Sequence, residues 1–445
     1  MFTICLIIGA IVAIVLGTVK LKIHPFLSLF TVALLVGLIA GFGANETITM
    51  ISQGFGNTLS SIGTIIAFGT IIGVILERTN SVEVIVHLLL KWSGGKATAL
   101  VMNFTGFIVS IPVFCDSAYI ILSSINKTLS KKTFIPLGVL SVALATGLYA
   151  AHVFVPPTPG PLAASSLIEA DLGLVLIYGL IIGFVVSVTG YFSAKHLLFK
   201  KVMAPDVAGM KPRKEKLDIR KSAILVFLPI IIPIVLIAFK SIVNYPTYPL
   251  GQGVLYEFFN AIGNPIVALF TGVVLAFMLT VPRYTSKQFQ WTVDALKDAG
   301  LIILITGAGG AFGHILKQLD IANLIAIDSG SPLGGLILIF LIASILKTSQ
   351  GSSTVAIITT AALVAPLLSN FQLDDRVGKT FAVLAIGAGA MTVSHVNDSY
   401  FWVVSQFSGM STKQALKTYS IATFLQGIIG IGILTTLFLV LNMSM

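Results

Sequence analysis

The stretch Thr348-Ser349-Gln350-Gly351-Ser352-Ser353-Thr354 interrupts an apolar segment that runs over about residues 333–368. The whole segment is too long for one transmembrane helix, which needs about 20 apolar residues. We therefore predict a re-entrant helical hairpin whose arms enter and leave the membrane on the same side. Irregular backbone at membrane depth is tolerated only where it is buried in protein or lines a cavity, so the tip of this hairpin indicates a binding site.

The first half of the chain contains a counterpart of this interrupted segment. An apolar stretch over about residues 97–125 is broken by Ser110-Ile-Pro-Val-Phe-Cys-Asp-Ser117, in which proline disrupts a helix because it lacks an N–H. Glycine-rich strings also precede both hairpins, Gly69-Thr-Ile-Ile-Gly-Val-Ile-Leu-Glu77 and Gly309-Gly-Ala-Phe-Gly-His-Ile-Leu-Lys317. These glycines predict close helix approach. Twofold repetition of broken hydrophobic segments is typical of secondary transporters.

Composition places the chain in a bilayer. Of its 445 residues 56% are hydrophobic and only 10% are charged, whereas soluble domains carry about 25% charged residues. We predict an all-α polytopic membrane protein and not a soluble enzyme. The sequence has no Walker motif, Cys-x-x-Cys pair or metal-ligand spacing, so we predict no cofactor, no metal and no ATP-driven pump.

Basic residues predict the orientation. About ten spans can be read, and placing the basic loop 196–221 in the cytoplasm puts all but five of the 27 lysines and arginines on that side. The net charge of +10 is then an orientation signal and does not indicate a nucleic-acid partner. Both termini fall outside. The five basic residues assigned to the exterior are Lys240, Lys317, Lys347, Arg376 and Lys379. The predicted spans cover about residues 2–19, 25–43, 58–76, 134–155, 173–195, 222–243, 264–281, 300–316, 380–396 and 418–441.

The same topology predicts inverted repeats. Each half has five crossings and one hairpin, and because five is odd the second copy enters from the opposite face. Residues 1–200 form the first repeat, 201–221 a cytoplasmic basic linker and 222–445 the inverted second repeat.

Each half also carries a second interrupted segment. In the first half His152 precedes Pro156-Pro-Thr-Pro-Gly-Pro161, which cannot continue a helix. In the second half His395 precedes Asn397-Asp398-Ser399, whose side chains compete for backbone hydrogen bonds. We predict broken helices over about residues 134–161 and 380–408.

The breaks predict an anion site. A helix that restarts after a break presents free N–H groups and the positive end of its dipole, which together favour a carboxylate. Asp116 and Asp398 are intramembrane acids, which are rare and usually functional; a proton carrier, a cation ligand and a partner for substrate hydroxyls are all open roles. The predicted substrate-binding residues are Ser110, Cys115, Asp116, Ser117, His152, Thr158, Gly160, Ser349, Gln350, Gly351, Ser352, Ser353, Thr354, Asn397, Asp398 and Ser399. The candidates for proton coupling are Asp116, Asp398, His152 and His395, since histidine titrates near neutral pH.

As a set, the motifs resemble the gluconate permease (GntP) family of the ion-transporter superfamily over nearly the whole chain. The resemblance implies a proton-coupled importer of sugar acids and related hydroxy acids, with a D-serine branch. It also implies an elevator-type architecture, a homodimer and a bacterial inner-membrane location. The motifs that carry it are Lys22-Ile-His-Pro-Phe26, Pro156-Pro-Thr-Pro-Gly-Pro161, Gly309-Gly-Ala-Phe312, Gly351-Ser-Ser-Thr-Val-Ala356 and Asn397-Asp-Ser-Tyr-Phe-Trp402.

Two departures from the family pattern bear on the substrate. Many members have Glu where this chain has Cys115-Asp116, and His where it has Thr158. We predict proton-coupled uptake of gluconate-like sugar acids or of smaller hydroxy carboxylates. The alternatives are a sodium-coupled carboxylate or D-serine-type transporter and, from another class, a passive anion channel.

Overall fold

The computed structural model describes residues 16–92, 97–198, 223–244, 253–281, 284–319, 331–396 and 398–443, with residues 6, 9–10, 12–14 and 251. Every regular element within these ranges is helical, which agrees with the predicted all-α class. The predicted linker 201–221, eight of the 18 residues of the predicted span 2–19, and Asn397 lie outside the described residues.

The helices fall into two series on either side of the predicted linker. The first series is α1 (Pro25–Ile39), α2 (Ala44–Arg78), α3 (Ser81–Trp92), α4 (Thr98–Val109), α5 (Cys115–Thr133), α6 (Leu137–Phe154), α7 (Pro159–Ile168) and α8 (Leu172–Leu198). The second series is α9 (Ala223–Val243), α10 (Val254–Ile262), α11 (Pro265–Met278), α12 (Gln288–Gln318), α13 (Pro332–Gln350), α14 (Ser353–Val364), α15 (Arg376–Met391), α16 (Ser399–Ser408) and α17 (Thr412–Met443).

Both series run through a similar order of elements. A long helix (α2 or α12) precedes two helices separated at a polar break (α4–α5 or α13–α14), then come a second broken pair (α6–α7 or α15–α16) and a final long helix (α8 or α17). Helix α3, between α2 and α4, has no counterpart among the described residues. The second hairpin breaks at Gly351, which has a left-handed φ of 75° that glycine adopts without strain. Re-entry of the hairpins and inversion of the second series stay predictions.

Seven helical segments among the described residues, with α6 and α7 taken together as one, are long and apolar enough to cross a membrane, or eight if α10 and α11, bent by 61°, form one span. The predicted span near 25–43 corresponds to α1, which has only 15 residues. The one near 380–396 corresponds to α15, which has 16 residues and begins at Arg376. The predicted total of about ten therefore stays a prediction.

Helix α2 packs along α12 and against the break of the first hairpin. A Cβ added at Gly310 would overlap the Thr58 side chain, and one added at Gly73 would overlap the Pro112 carbonyl oxygen. The predicted close approach is therefore confirmed at these two glycines, where any larger residue must move its neighbour.

An ion-pair cluster joins α8, α9 and α15 at their ends. Arg376 donates from Nε to Asp171 Oδ2 at 3.0 Å and from Nη1 to the Asn244 carbonyl at 3.0 Å. Ser241 Oγ donates to Asp171 Oδ1 at 2.9 Å. Burial alone raises the pKa of Asp171, but hydrogen bonds from the Leu174 N–H, Arg376 and Ser241 outweigh it, so the pKa lies below its usual 3.8.

Candidate functional site

A cavity of about 200 Å³ lies where the N-terminal ends of three helices meet. The helices are α5, α14 and α16, and α6 adds side chains from its C-terminal half. Helix α12 supplies an apolar wall of Leu301, Ile302 and Ile305. The other lining residues are Phe114, Cys115, Asp116, Tyr149, His152, Ser352, Ser353, Thr354, Val355, Ile358, Asp398, Ser399 and Tyr400.

The three helix ends give the cavity its electrostatic character. The first helical residues, Cys115, Ser353 and Ser399, all line it. The first four N–H groups of a helix have no partner within the helix, and the helix dipole adds partial positive charge there. Side chains cap two of these ends, because Ser352 Oγ accepts the Val355 N–H at 3.4 Å and Asp398 accepts the Tyr400 N–H at 3.0 Å. The remaining N–H groups favour an anion in the cavity.

Asp116 presents an unsatisfied acceptor beside the cavity. Its Oδ1 is buried and accepts no hydrogen bond within the described part of the chain, and its Oδ2 lies 3.9 Å from Cys115 Sγ. Buried polar atoms are normally hydrogen-bonded. A ligand hydroxyl or ammonium would satisfy this oxygen.

His152 approaches the cavity from α6. Its Nε2 lies 3.4 Å from Thr354 Oγ1, and its ring stacks on Tyr149 with an interplanar angle of 14°. Its Nδ1 is buried without a hydrogen-bond partner among the described residues. Thr354 belongs to the second half of the chain, so this contact ties α6 to the start of α14.

Lys347 is a residue of this region that the sequence analysis misplaced. It was assigned to the exterior, but its side chain is only 1% exposed, and its Nζ lies 2.6 Å from Asp398 Oδ2. The exterior assignment is therefore wrong, because Lys347 is buried in an ion pair inside the protein. A signal was available in the sequence: a lysine in an apolar segment, four residues before Gly351, belongs to the class of intramembrane charges that are usually paired.

Asp398 is held by several donors at once. Besides Lys347, the Ser394 hydroxyl donates to Oδ2. Its other oxygen, Oδ1, caps α16 through the Tyr400 N–H. Asp398 is therefore engaged within the protein, whereas Asp116 lines the cavity and has one oxygen that no described group satisfies.

The structure gathers part of the predicted substrate-binding set at this cavity. Those that line it are Cys115, Asp116, His152, Ser352, Ser353, Thr354, Asp398 and Ser399. The described residues predicted for the site that do not line it are Ser110, Ser117, Thr158, Gly160, Ser349, Gln350 and Gly351.

Thr158 from this list and the proton-coupling candidate His395 have other surroundings. Thr158 lines a separate small crevice with Gly69 and Pro112. His395, a proton-coupling candidate, forms a hydrogen bond of 3.1 Å between Nε2 and the Thr348 carbonyl and also does not line the cavity.

The sequence reasoning also missed the aromatic part of the wall. Tyr149 and Tyr400 both line the cavity, and their rings lie 5.5 Å apart. Each hydroxyl donates to a backbone carbonyl, Tyr149 to Ala390 and Tyr400 to Ala145, both at 3.2 Å. An aromatic residue in an apolar helix gives no signal that separates a cavity wall from ordinary packing.

A larger polar cavity of about 450 Å³ lies further along α12. It is bordered by α2, α7, α12 and α14, with Asn57, Ser166 and His314 among its lining residues. At its edge Lys317 Nζ pairs with Glu169 Oε1 at 2.8 Å. The hydrogen bond and charge of Lys317 hold the pKa of Glu169 below its usual 4.5.

Apolar helices that break at polar residues around an interior cavity define a multi-pass membrane transport protein. The chain belongs to the GntP permease family, since the family model for GntP family permeases matches residues 1–442. The resemblance inferred from the motifs is therefore confirmed.

Individual relatives cover nearly the whole chain. It is 34% identical over 433 residues to the D-serine transporter DsdX of Escherichia coli (strain K12), covering 95% of each chain. It is 29% identical over 447 residues to the gluconate permease of Bacillus subtilis (strain 168), covering 97% of this chain and 98% of the relative. The YdaH transporter of Alcanivorax borkumensis shares the fold, with a TM-score of 0.66 at 14% identity, covering 94% of this chain and 99% of that one.

The family and these relatives are permeases and transporters. The prediction that the chain is a membrane transporter and not an enzyme is therefore confirmed. The cavity between the three helix ends is its candidate substrate site.

Proposed function

We propose that the protein is a secondary active transporter that couples proton entry to the uptake of short hydroxy carboxylates across a bacterial inner membrane. The observation that carries this proposal is the meeting of three helix N-termini at a cavity of about 200 Å³ that also contains an unsatisfied Asp116 oxygen. The helix ends suit a carboxylate, and Asp116 suits a hydroxyl on the neighbouring carbon.

The size of the cavity favours a small substrate. The cavity volume is about 200 Å³. Pockets for drug-sized ligands begin at about 300 Å³. A hydroxy acid of three or four carbons matches this volume better than six-carbon gluconate.

D-Serine is the second candidate. It has the size of a three-carbon hydroxy acid, and its ammonium would lie against Asp116 while its carboxylate takes the helix ends. The 34% identity to a D-serine transporter supports this alternative.

For proton coupling the geometry favours Asp116 and His152 over the other two predicted candidates. Both line the cavity and both have a buried atom without a hydrogen-bond partner in the described structure. Asp398 is engaged by Lys347, and His395 lies away from the cavity. One proton entering with one carboxylate carries no net charge, so the pH gradient alone drives that step; each proton beyond the first moves one net charge, which through 100 mV supplies about 2.3 kcal/mol, or roughly 50-fold accumulation at RT of about 0.59 kcal/mol.

Uptake across the membrane requires a fold that can present the substrate site to either side. We take the two helix series as inverted repeats, with both termini outside and the linker 201–221 in the cytoplasm, and we take the protein as an elevator-type homodimer. The recurrence of a similar element order in α2–α8, apart from α3, and in α12–α17 supports the repeat. The substrate cavity would then lie between groups from both halves, as in other transporters with discontinuous helices.

Uptake into proteoliposomes tests the proposal. The purified protein is assayed in sodium-free buffer with an imposed pH gradient and labelled glycerate, threonate, gluconate or D-serine. We expect accumulation of a three- or four-carbon substrate above equilibrium, and its loss when a protonophore collapses the gradient. A passive channel would only equilibrate the substrate, and a sodium-coupled carrier would stay inactive until sodium is added. Either result would contradict the proposal.

A further inference from the structure

The surroundings of the Lys347 ammonium have the composition of a cation-binding site. Its Nζ lies 2.6 Å from Asp398 Oδ2 and 3.3 Å from the Gly351 carbonyl oxygen. The Tyr149 ring centre lies 5.9 Å from the same nitrogen. A carboxylate, a backbone carbonyl and an aromatic face are each partners for a cation.

Helix geometry adds to this site. Gly351 is the C-cap of α13, so its carbonyl stands at the negative end of that helix dipole. Freed carbonyls and half-helix C-terminal ends are the groups that coordinate cations in transporters with broken helices. In this chain the place of such a cation is taken by the ammonium of Lys347, whose side chain starts one turn earlier in α13.

The site is buried and lies where the tip of the second hairpin meets the second broken helix. The side chains of Lys347 and Asp398 are 1% and 5% exposed, and lysine is almost never fully buried without a partner. Lys347 reaches from the end of α13 to the N-cap of α16, and Asp398 itself lines the substrate cavity. The ammonium therefore links the tip of the second hairpin to the break of the second broken helix.

We propose that the chain contains a monovalent-cation site that it fills with its own Lys347 ammonium. Shortening Lys347 opens this site to a free cation, and the small primary alkylammonium ions are the ligand class that fits it. For transport, which rests on the proposed function, the consequence is that the native protein needs no free sodium to join α13 to α16. Lys347 is thus a positioning residue for the hairpin tip.

The atoms that a Lys347→Ala substitution removes determine which cation should be tested. Lys347→Ala keeps Cβ and removes three further carbons and the ammonium, which is the equivalent of n-propylammonium. Lys347→Met is the matched control, since it fills the space with an uncharged chain. Neutral n-propanol controls for filling of the space without charge.

Thermal unfolding of the full chain in detergent is measured with n-propylammonium, sodium or bulky N-methylglucamine at constant ionic strength. We expect Lys347→Ala to show a saturable rise in Tm of about 3 °C or more with n-propylammonium. Neither the native protein nor Lys347→Met should respond, and n-propanol should have no effect on any of them. Equal responses of Lys347→Ala and Lys347→Met would overturn the proposal.

Two further measurements, on the recovery of folded Lys347→Ala and on the sodium requirement of transport, also decide the proposal. If Lys347→Ala is recovered as folded protein only when n-propylammonium is present during solubilisation, the proposal is supported; if it is recovered in neither condition, the proposal is overturned. These measurements need no transport substrate, so they decide the cation site even if no hydroxy acid is taken up. If the native protein does accumulate substrate and requires sodium to do so, the inferred role of Lys347 is wrong while the transport function stands.

Discussion

Replacing Asp398 by Asn should isolate the charge of the Lys347–Asp398 pair. Asn is as good an N-cap as Asp, so the hydrogen bond to the Tyr400 N–H can persist. What is lost is the negative charge 2.6 Å from a buried ammonium. Removing one member of a buried pair costs about 3–5 kcal/mol, because the other charge stays buried without compensation. Replacing both members by uncharged groups of similar size should cost much less.

The assay is a double-mutant cycle on unfolding in detergent with Asp398→Asn, Lys347→Met and the double variant. We expect the double variant to be more stable than Asp398→Asn alone, with a coupling energy of at least about 2 kcal/mol. The matched control cycle uses Glu169→Gln and Lys317→Met, a pair at 2.8 Å whose side chains are 66% and 42% exposed. That pair should couple by no more than about 1 kcal/mol.

Additive effects at Asp398 and Lys347, within about 0.5 kcal/mol, would refute the reasoning. Transport gives a second readout of the same variant. Asp398→Asn should reach the membrane but fail to accumulate substrate, because the Asp398 carboxylate both pairs with Lys347 near the hairpin tip and lines the cavity. Normal accumulation by Asp398→Asn would show that the pair has no part in transport.

Three further predictions concern other parts of the molecule. Because the pKa of Asp171 is lowered in the folded state, its charge stabilises the fold above about pH 4, and this contribution is lost as the pH falls through the folded-state pKa. Arg376→Gln should therefore lower the free energy of unfolding by about 2 kcal/mol at pH 6 and by less at pH 3, as measured by thermal unfolding. Gly73→Ala should lower stability by about 1–3 kcal/mol in the same assay, because the new Cβ overlaps the Pro112 carbonyl; an unchanged Tm would contradict this packing. Asp116→Asn should weaken competition by glycerate about 10-fold more than competition by propionate, equivalent to about 1.4 kcal/mol, and equal losses would remove Asp116 from hydroxyl recognition.

Much of the fold could be predicted from the sequence because its causes are local. Proline and glycine act on the backbone where they stand, so the breaks beside Pro112 and at Gly351 follow from residue chemistry alone. The all-helical class follows equally directly from the apolar composition. Span limits were harder, since α7 continues to Ile168 whereas the broken helix was predicted to end near 161.

The arrangement of the site depends on contacts between distant positions, which no local pattern encodes. Thr158 and Thr354 both follow helix breaks, yet only Thr354 reaches the cavity, because packing sets the path of each chain after its break. The pairing of Lys347 with Asp398 was missed for the same reason. Assigning each lysine to one side of the membrane assumes that it lies in a loop, and that assumption fails for a lysine with a buried partner.

The Lys347–Asp398 pair also has a consequence for how the chain is made. Lys347 emerges from the ribosome 51 residues before Asp398, so α13 must enter the membrane while its lysine still lacks its partner. Insertion scales assign a lysine at the centre of a spanning helix a penalty of about 2.5–3.5 kcal/mol; this is an upper bound for Lys347, which lies in the last turn of α13, and the apolar remainder of the helix has to offset it. We therefore expect α13 to reach its final position only after the chain around residue 398 has been made.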